Sequence, residues 1–393
     1  MQLNPEQKQS LLASYQIDWN RGFLPTVDPL VEVPKQLGPW CEIAQQLPKL
    51  LISNKVRQVV HNTSTISIAE TNNAELERAM LALSYIAHAY VWGEPNPPKS
   101  LPAQLAIPWC QAASKLGRPP VLSYASYALN NWKRMDKDGP IALGNIALAQ
   151  NFLGGADEEW FVLVHVDIEC KAAGAISAIL PALEAVKNKD AAYLEQCLNS
   201  IDESLALMYA TLERMPEHCD PYIYYHRVRP YIHGWKDHPS FPDGLLYEGV
   251  EAFKGKPQFF RGETGAQSSI IPALDAVLGV VHDNDRMRYY LDEMRDYMPP
   301  GHRAFIKAIE DGPPVREFVT AAGSSHKQLH DVYNSCINWM EKFRSKHLEY
   351  ARDYIFAQAQ RTPTNPSAVG TGGTPFMPYL EKHRDETTQH LLK

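Results

Sequence analysis

The sequence predicts a mainly α-helical fold, on three observations. Apolar residues recur at three- and four-residue spacing through most of the chain, the signature of amphipathic helices. Prolines open and glycines close successive segments, as helix ends prefer. Strand signals are scarce: only the Val- and Thr-bearing stretch from Gln58 to Ile68 reads as a brief pairing segment.

The elements follow in order. Glu75 to Trp92, ELERAMLALSYIAHAYVW, has a clear helical period. Pro95 to Pro108 and Gly117 to Pro120 read as proline-rich connections. KDGP (Lys137 to Pro140) and Gly154-Gly155 precede a long apolar run, Trp160 to Val186, that Pro181 is expected to kink or divide. This change of texture predicts a domain boundary near residue 150. Ala191 to Arg214 is a further amphipathic helix. Pro299-Pro300 opens a helix that Gly312 closes, and Pro313-Pro314 opens another that Gly323 closes. Ser324 or Ser325 then caps a helix of nearly thirty residues, roughly 45 Å long at 1.5 Å per residue. Its apolar face runs from Leu329 through Cys336, Met340, Phe343 and His347 to Ala351, Tyr354 and Ile355. TPTNPSAVGTGG, Thr362 to Gly373, is a flexible loop by composition.

Composition excludes several classes of function. At 393 residues, with 45% hydrophobic and 21% charged residues, the chain is an ordinary globular protein of one large or two unequal domains. A net charge of −7 without a long basic run argues against nucleic acid as a partner. The first twenty residues lack a basic segment followed by an apolar one, and no apolar stretch reaches membrane-spanning length. Six scattered cysteines without a CxxC pair fit reduced thiols in a cytoplasmic protein.

Chemistry is carried by a few residues, each with a plainer reading beside it. His347 shares an apolar helix face with Phe343, Ala351 and Tyr354; it is a hydrogen-bonded core histidine or an axial heme ligand, with Arg344 one turn away to meet a propionate. His165 lies in WFVLVHVDI and is a core residue or a distal group facing bound gas or substrate. RGETGAQSS, Arg261 to Ser269, is a loop whose backbone approaches a ligand, or a helix start capped by Thr264 or Ser268. Tyr222 to Trp235 combines four tyrosines with Arg227 and Arg229, which suits a carboxylate-gripping wall or ordinary packing. His326 and His330 have helical metal-pair spacing, but HKQLH offers no third ligand. GTGGT, Gly370 to Thr374, is a linker or a lid.

Taken together, the motifs are specific. AHAYVWG (Ala87 to Gly93), IPWCQ (Ile107 to Gln111), PPVLSYA (Pro119 to Ala125) and NNWKRMD (Asn130 to Asp136) come first. DGLLYEG (Asp243 to Gly249), GAQSS, RDYMPPGHRAF (Arg295 to Phe305), PPVREFV (Pro313 to Val319), RSKHL (Arg344 to Leu348) and GTGGT follow in order. In this the chain resembles, nearly end to end, the indoleamine 2,3-dioxygenase family of heme-dependent tryptophan dioxygenases. The resemblance implies a small N-terminal helical domain, 1–150, over a large all-helical heme-binding domain, 151–393, with a mobile loop near 358–374. It implies heme b held by His347, Arg344 pairing with a propionate and with Asp275, and O2 as co-substrate. Arg229 is then the carboxylate-binding arginine, Thr264 and Gly265 line the distal pocket, and Thr371 belongs to the loop that closes over substrate. It further implies an indole substrate such as L-tryptophan, an electron donor that keeps the heme ferrous, and a monomer.

The distal pocket departs from the mammalian pattern of that family. Phe161 matches an indole-stacking phenylalanine, and Tyr124 opens the pocket's Y-A-x-C element. A small serine is replaced by His165, a phenylalanine by Tyr224, and a cysteine by Tyr127. All three changes add bulk or hydrogen-bonding capacity. A distal histidine is a feature of the tetrameric tryptophan 2,3-dioxygenase branch, where it contacts the indole N–H, so the substrate is tryptophan held differently or another indole.

Overall fold

The computed structural model describes residues 5–31, 37–68, 71–283, 286–361 and 377–392. The chain begins with α1 (Pro5–Ala13), α2 (Gly38–Ile52), α3 (Val56–His61), α4 (Asn73–Trp92) and α5 (Ala103–Leu116). Next come α6 (Ala156–Lys171), α7 (Ala173–Lys187), α8 (Ala191–Leu212) and the single turn α9 (Pro221–Ile223). The C-terminal part adds α10 (Ile270–Leu278), α11 (Arg286–Arg295), α12 (Pro300–Glu310), α13 (Val315–Ala322), α14 (Lys327–Ala351), α15 (Ala357–Arg361) and α16 (Met377–Thr388). Short strands β1 (Ser100–Leu101), β2 (Trp132–Arg134), β3 (Ile146–Leu148) and β4 (Leu246–Tyr247) pair β1 with β4 in parallel and β2 with β3 antiparallel. The fold is mainly α, and no helix among the described residues is long and apolar enough to cross a membrane.

Local chemistry explains the boundaries, including those the sequence reading missed. α4 starts on a full capping box: Asn72 accepts from the Glu75 amide, and the Glu75 carboxylate accepts from the Asn72 amide. Gln58 to Ile68 forms no strand. Val56 and Val60 are buried on one side of α3, and burial overrides their β-preference. Pro108 lies inside α5 rather than in a connection, because Leu105, Trp109, Ala112 and Ala113 bury the helix face around it. The long apolar run divides at Ala172, not at Pro181, which α7 accommodates. Ser325 does not cap α14; its hydroxyl donates to the Ala322 carbonyl inside a 3-10 turn, and the helix begins after His326 without a side-chain cap.

The buried apolar residues form two clusters. One gathers α2, α4 and α5 with returning segments around Trp235 and Tyr297. The other gathers α7, α8, α10, α12 and α14 with Leu12, Ile17 and Phe23 from the N-terminal segment. α6 feeds both: Val162 and Val166 enter the first, Val164 and Ile168 the second. A helix apolar all round belongs between two cores, and this one carries WFVLVHVDI.

Three π-helical turns interrupt the described chain, at Ala125–Leu129, Tyr224–Val228 and Arg352–Phe356. They hold Tyr127, Tyr224 and Tyr354; Tyr127 and Tyr224 belong to the aromatic cluster described below, and Tyr354 lies edge-on to Tyr224 at 5.8 Å. Such turns insert a residue into the helical register and often mark functional sites.

Candidate active site

A cavity of about 720 Å³ opens among α6, α10, α14 and the loop before α10. That is within the range of small-molecule and cofactor sites, roughly 300–1,000 Å³. His347 and His165 both line it.

The α14 wall arises from a change of partner along one face. Leu329, Val332, Tyr333, Cys336, Ile337 and Met340 are buried in the core. One turn further, Phe343, His347, Tyr350 and Ala351 face the cavity instead. His347 is exposed by accessible surface, yet protein surrounds it, so the surface it shows is cavity wall. Burial, with a smaller contribution from nearby His165, pushes its pKa down to about 4. The imidazole is therefore neutral at pH 7, and no described residue hydrogen-bonds to it. A neutral ring with unused nitrogen lone pairs is what a metal ligand requires.

Arg344, one turn before His347, meets Asp275 of α10 through Nη2, at 2.9 Å to Oδ1 and 2.7 Å to Oδ2. Its Nη1 donates to the Thr387 hydroxyl of α16. Both Arg344 and Asp275 line the cavity. Burial alone pushes the Asp275 carboxyl up, but Arg344 and His282 outweigh it and hold the pKa at about 2. The folded pKa lies below the ordinary 3.8, so this stabilisation is present above about pH 4 and is lost as pH falls towards 2. Asp275→Asn is expected to cost about 3 kcal/mol at pH 7, because Arg344 stays buried without its counter-charge. Urea melts of the two proteins should show that gap narrowing below pH 4; a gap independent of pH would reject the ion pair as its source.

On the α6 wall, Asp157, Glu158 and Glu159 occupy the first turn, where the helix dipole favours acids. The Glu158 carboxylate accepts from the amides of Phe152, Leu153 and Gly154 and so fixes the entry to the helix. His165 Nδ1 lies 2.7 Å from the Phe161 carbonyl. A carbonyl only accepts, so Nδ1 carries the proton. Burial lowers the pKa of the ring, which keeps it neutral. Nε2 is then the unprotonated nitrogen, an acceptor. Phe161 lies 4.7 Å from the His165 ring and 4.5 Å from Tyr224, centroid to centroid. Tyr124 sits edge-on to His165 at 6.0 Å, and Tyr127 is 6.3 Å from Phe161.

The third wall is the loop Glu263 to Ser268. Two glycines anchor it by close backbone crossing: a Cβ on Gly262 would lie 2.2 Å from the Gly234 nitrogen. Trp235 and Lys236 both donate to the Phe260 carbonyl, and the Glu263 amide donates to Ile232. Beyond this anchor, Glu263, Thr264, Gly265 and Ser268 line the cavity. A Cβ on Gly265 would meet nothing within 4 Å, so the backbone leaves room there for a ligand. The Thr264 hydroxyl accepts from the Ala266 amide. Ser268 donates to buried Glu169 at 2.9 Å, and Glu169, which also bonds Tyr124, is pushed up to about 7 by burial.

The whole chain matches a known pattern. The family model for indoleamine 2,3-dioxygenase covers residues 11–390. Indoleamine 2,3-dioxygenase 1 of Rattus norvegicus is 39% identical, over 100% of this chain and 98% of its own length. The chain belongs to the indoleamine 2,3-dioxygenase family. The indoleamine 2,3-dioxygenase of Saccharomyces cerevisiae is 33% identical, over 96% of this chain and 93% of its own. A protein named myoglobin from Haliotis madaka is 30% identical over 96% and 97% of the two chains.

Within this family member, the cavity brings together Phe161, His165, Tyr224, Thr264, Gly265, Asp275, Arg344 and His347. Tyr124 and Tyr127 stand behind that wall, buried against its aromatic residues. Arg229 is fully buried and does not line the cavity; its guanidinium lies over the Tyr225 ring at 5.5 Å. Thr371 lies outside the described residues, as does the stretch 362–374 of the expected loop. Sequence reasoning passed over Glu263, a buried carboxyl in the cavity wall that burial pushes up to about 8. It also passed over Glu169 and Ser268 as a bonded pair. The Glu263 signal was present: an acid amid small residues, between Gly262 and Thr264.

Proposed function

We propose that this chain binds heme b through His347 and, with O2, opens the indole ring of L-tryptophan or a related indoleamine to an N-formylkynurenine-type product. The observation that carries the reading is a neutral imidazole, His347, without a hydrogen-bond partner among the described residues, on a rigid helix, facing a cavity in which His165 offers an acceptor nitrogen. The residues fit heme: an axial nitrogen, apolar and aromatic walls, a glycine that leaves room at Gly265, and Arg344 poised for a propionate. When bound, heme supplies the activation of O2 and the redox chemistry; both oxygen atoms enter the product, so no net reductant is consumed.

The chain's own residues position and shield. Phe161 stacks on the indole, flanked by Tyr224. His165 Nε2 accepts the indole N–H, fixing the ring by a bond that needs no proton transfer. Arg229, which has to leave its packing over Tyr225 to reach the cavity, and Thr371 take the amino-acid end of the substrate. An external electron donor restores ferrous iron, and the protein acts as a monomer. We place the protein in the cytoplasm, whose reducing conditions suit its six free cysteines.

A second reading is heme or indole binding without turnover, and a relative named myoglobin lends it weight. One experiment separates the two. Hemin-loaded, reduced protein is given tryptophan, indole or 2-methylindole, with the Soret band and product absorbance followed together. A Soret band with N-formylkynurenine formed from tryptophan supports the dioxygenase. A Soret band without product from any indole supports the second reading, and no Soret band removes both. Arg229→Ala is expected to raise the KM for tryptophan about 10- to 100-fold and to change indole turnover little, since a charge-assisted bond contributes roughly 1.5–3 kcal/mol. Equal losses on both substrates would make Arg229 structural.

A further inference from the structure

At the cavity rim, His282, His383 and Glu386 bring three metal-ligating atoms within 4.8 Å of one another, all three residues buried. His383 and Glu386 are i and i+3 on α16, so they share a helix face. His282 follows α10 and lies against them: its ring stacks on His383 at 4.1 Å, and its Nδ1 is 2.6 Å from Glu386 Oε2. The other nitrogen of His282, Nε2, lies 3.3 Å from Asp275 Oδ2. Metal-bound histidines typically present their second nitrogen to a carboxylate in this way. The remaining cations have other partners: Arg344 occupies Asp275, and Lys382 sits at 3.3 Å from Oε1 of Glu386, leaving Oε2 to face the histidines.

We propose that His282, His383 and Glu386 form a divalent-metal site of zinc type, with Asp275 orienting His282. Two imidazoles and one carboxylate are an established zinc donor set that leaves a fourth position open. Bonds of about 2.0–2.2 Å place tetrahedral donors near 3.3 Å apart, so the 2.6 Å contact opens and the wider ones, within 4.8 Å, close by up to about 1.5 Å. Bound metal would tie α16 to α10 across Asp275 and Arg344, beside the α14 wall. The site is separate from the His326 and His330 pair at the start of α14, and it does not rest on the dioxygenase reading.

Calorimetric titration of the full chain with zinc chloride, with and without hemin, tests it. One zinc per chain is expected. His383→Ala and Glu386→Gln should each weaken binding at least tenfold, whereas a His326→Ala/His330→Ala variant should bind as the parent does. Zinc should also raise the Tm of the parent and not that of Glu386→Gln, a change that keeps side-chain shape. Absence of stoichiometric binding, loss of binding in the His326/His330 variant instead, or unchanged zinc affinity in His383→Ala and Glu386→Gln would each overturn the site. A His383→Ala variant that loses hemin but keeps zinc would overturn it too, and would assign His383 to heme.

Discussion

His347→Ala is expected to lose stable heme binding, with the ferrous–CO spectrum of the parent absent or shifted after hemin is supplied. Four histidines among the described residues line the cavity; His165 has its Nδ1 committed to the Phe161 carbonyl, His282 lies between Asp275 and Glu386, and His383 is stacked on His282, which leaves the His347 ring for the cofactor. Loss of an axial ligand should weaken heme affinity by more than about 100-fold, since even supporting residues around a metal ligand contribute 10- to 100-fold. The fold should survive, because the ring contacts a cavity rather than the core, and far-UV circular dichroism checks this. Added imidazole should restore part of the spectrum in His347→Gly by occupying the space left. An unchanged spectrum in His347→Ala would exclude it as the ligand.

His165→Ala is expected to lower kcat/KM for tryptophan about 10- to 100-fold, the cost of leaving a buried hydrogen-bonding group without its partner, roughly 1–3 kcal/mol. The discriminating substrate is 1-methyltryptophan, which has no indole N–H. With Nε2 acting as acceptor, the mutation should cost far less on that substrate; an equal loss on both would place His165 in another role. The pH dependence carries a sign. Burial lowers the His165 pKa, so the ring stays neutral as pH falls through 6.5, and no activity should be lost there on its account. A loss titrating near 6.5 that disappears in His165→Ala would contradict the burial described here.

Legibility in the sequence varied with how local the physics is. The helices were readable because their period and proline–glycine punctuation are local; α12 and α13 begin and end near the expected residues. The break at Ala172 was not, since the run is alanine-rich there and long-range packing on two cores decides it. His347 alone was ambiguous: the same spacing suits a core residue. Its place among ordered motifs nominated it as a heme ligand, and the cavity shows what the apolar face meets past Met340. Arg229 reads in sequence as a carboxylate grip or as ordinary packing, and its burial beside Tyr225 is something a linear pattern cannot reveal. The group at His282 and Glu386 joins residues 104 apart in the chain, with no spacing to announce it.

The three π-helical turns make pocket geometry a matter of counting. Each carries an extra residue, so the tyrosine it holds is aimed by backbone register as well as by side-chain identity. Tyr127, Tyr224 and Tyr354 can exchange with phenylalanine and keep the pocket's shape, changing only its polarity. Removing one residue from such a turn would restore the α-helical ladder and re-aim the tyrosine within it, while the residues that follow keep their register. A lineage built on this scaffold therefore has two independent dials for substrate choice: one substitutes atoms, the other adds or removes a single position in a helix.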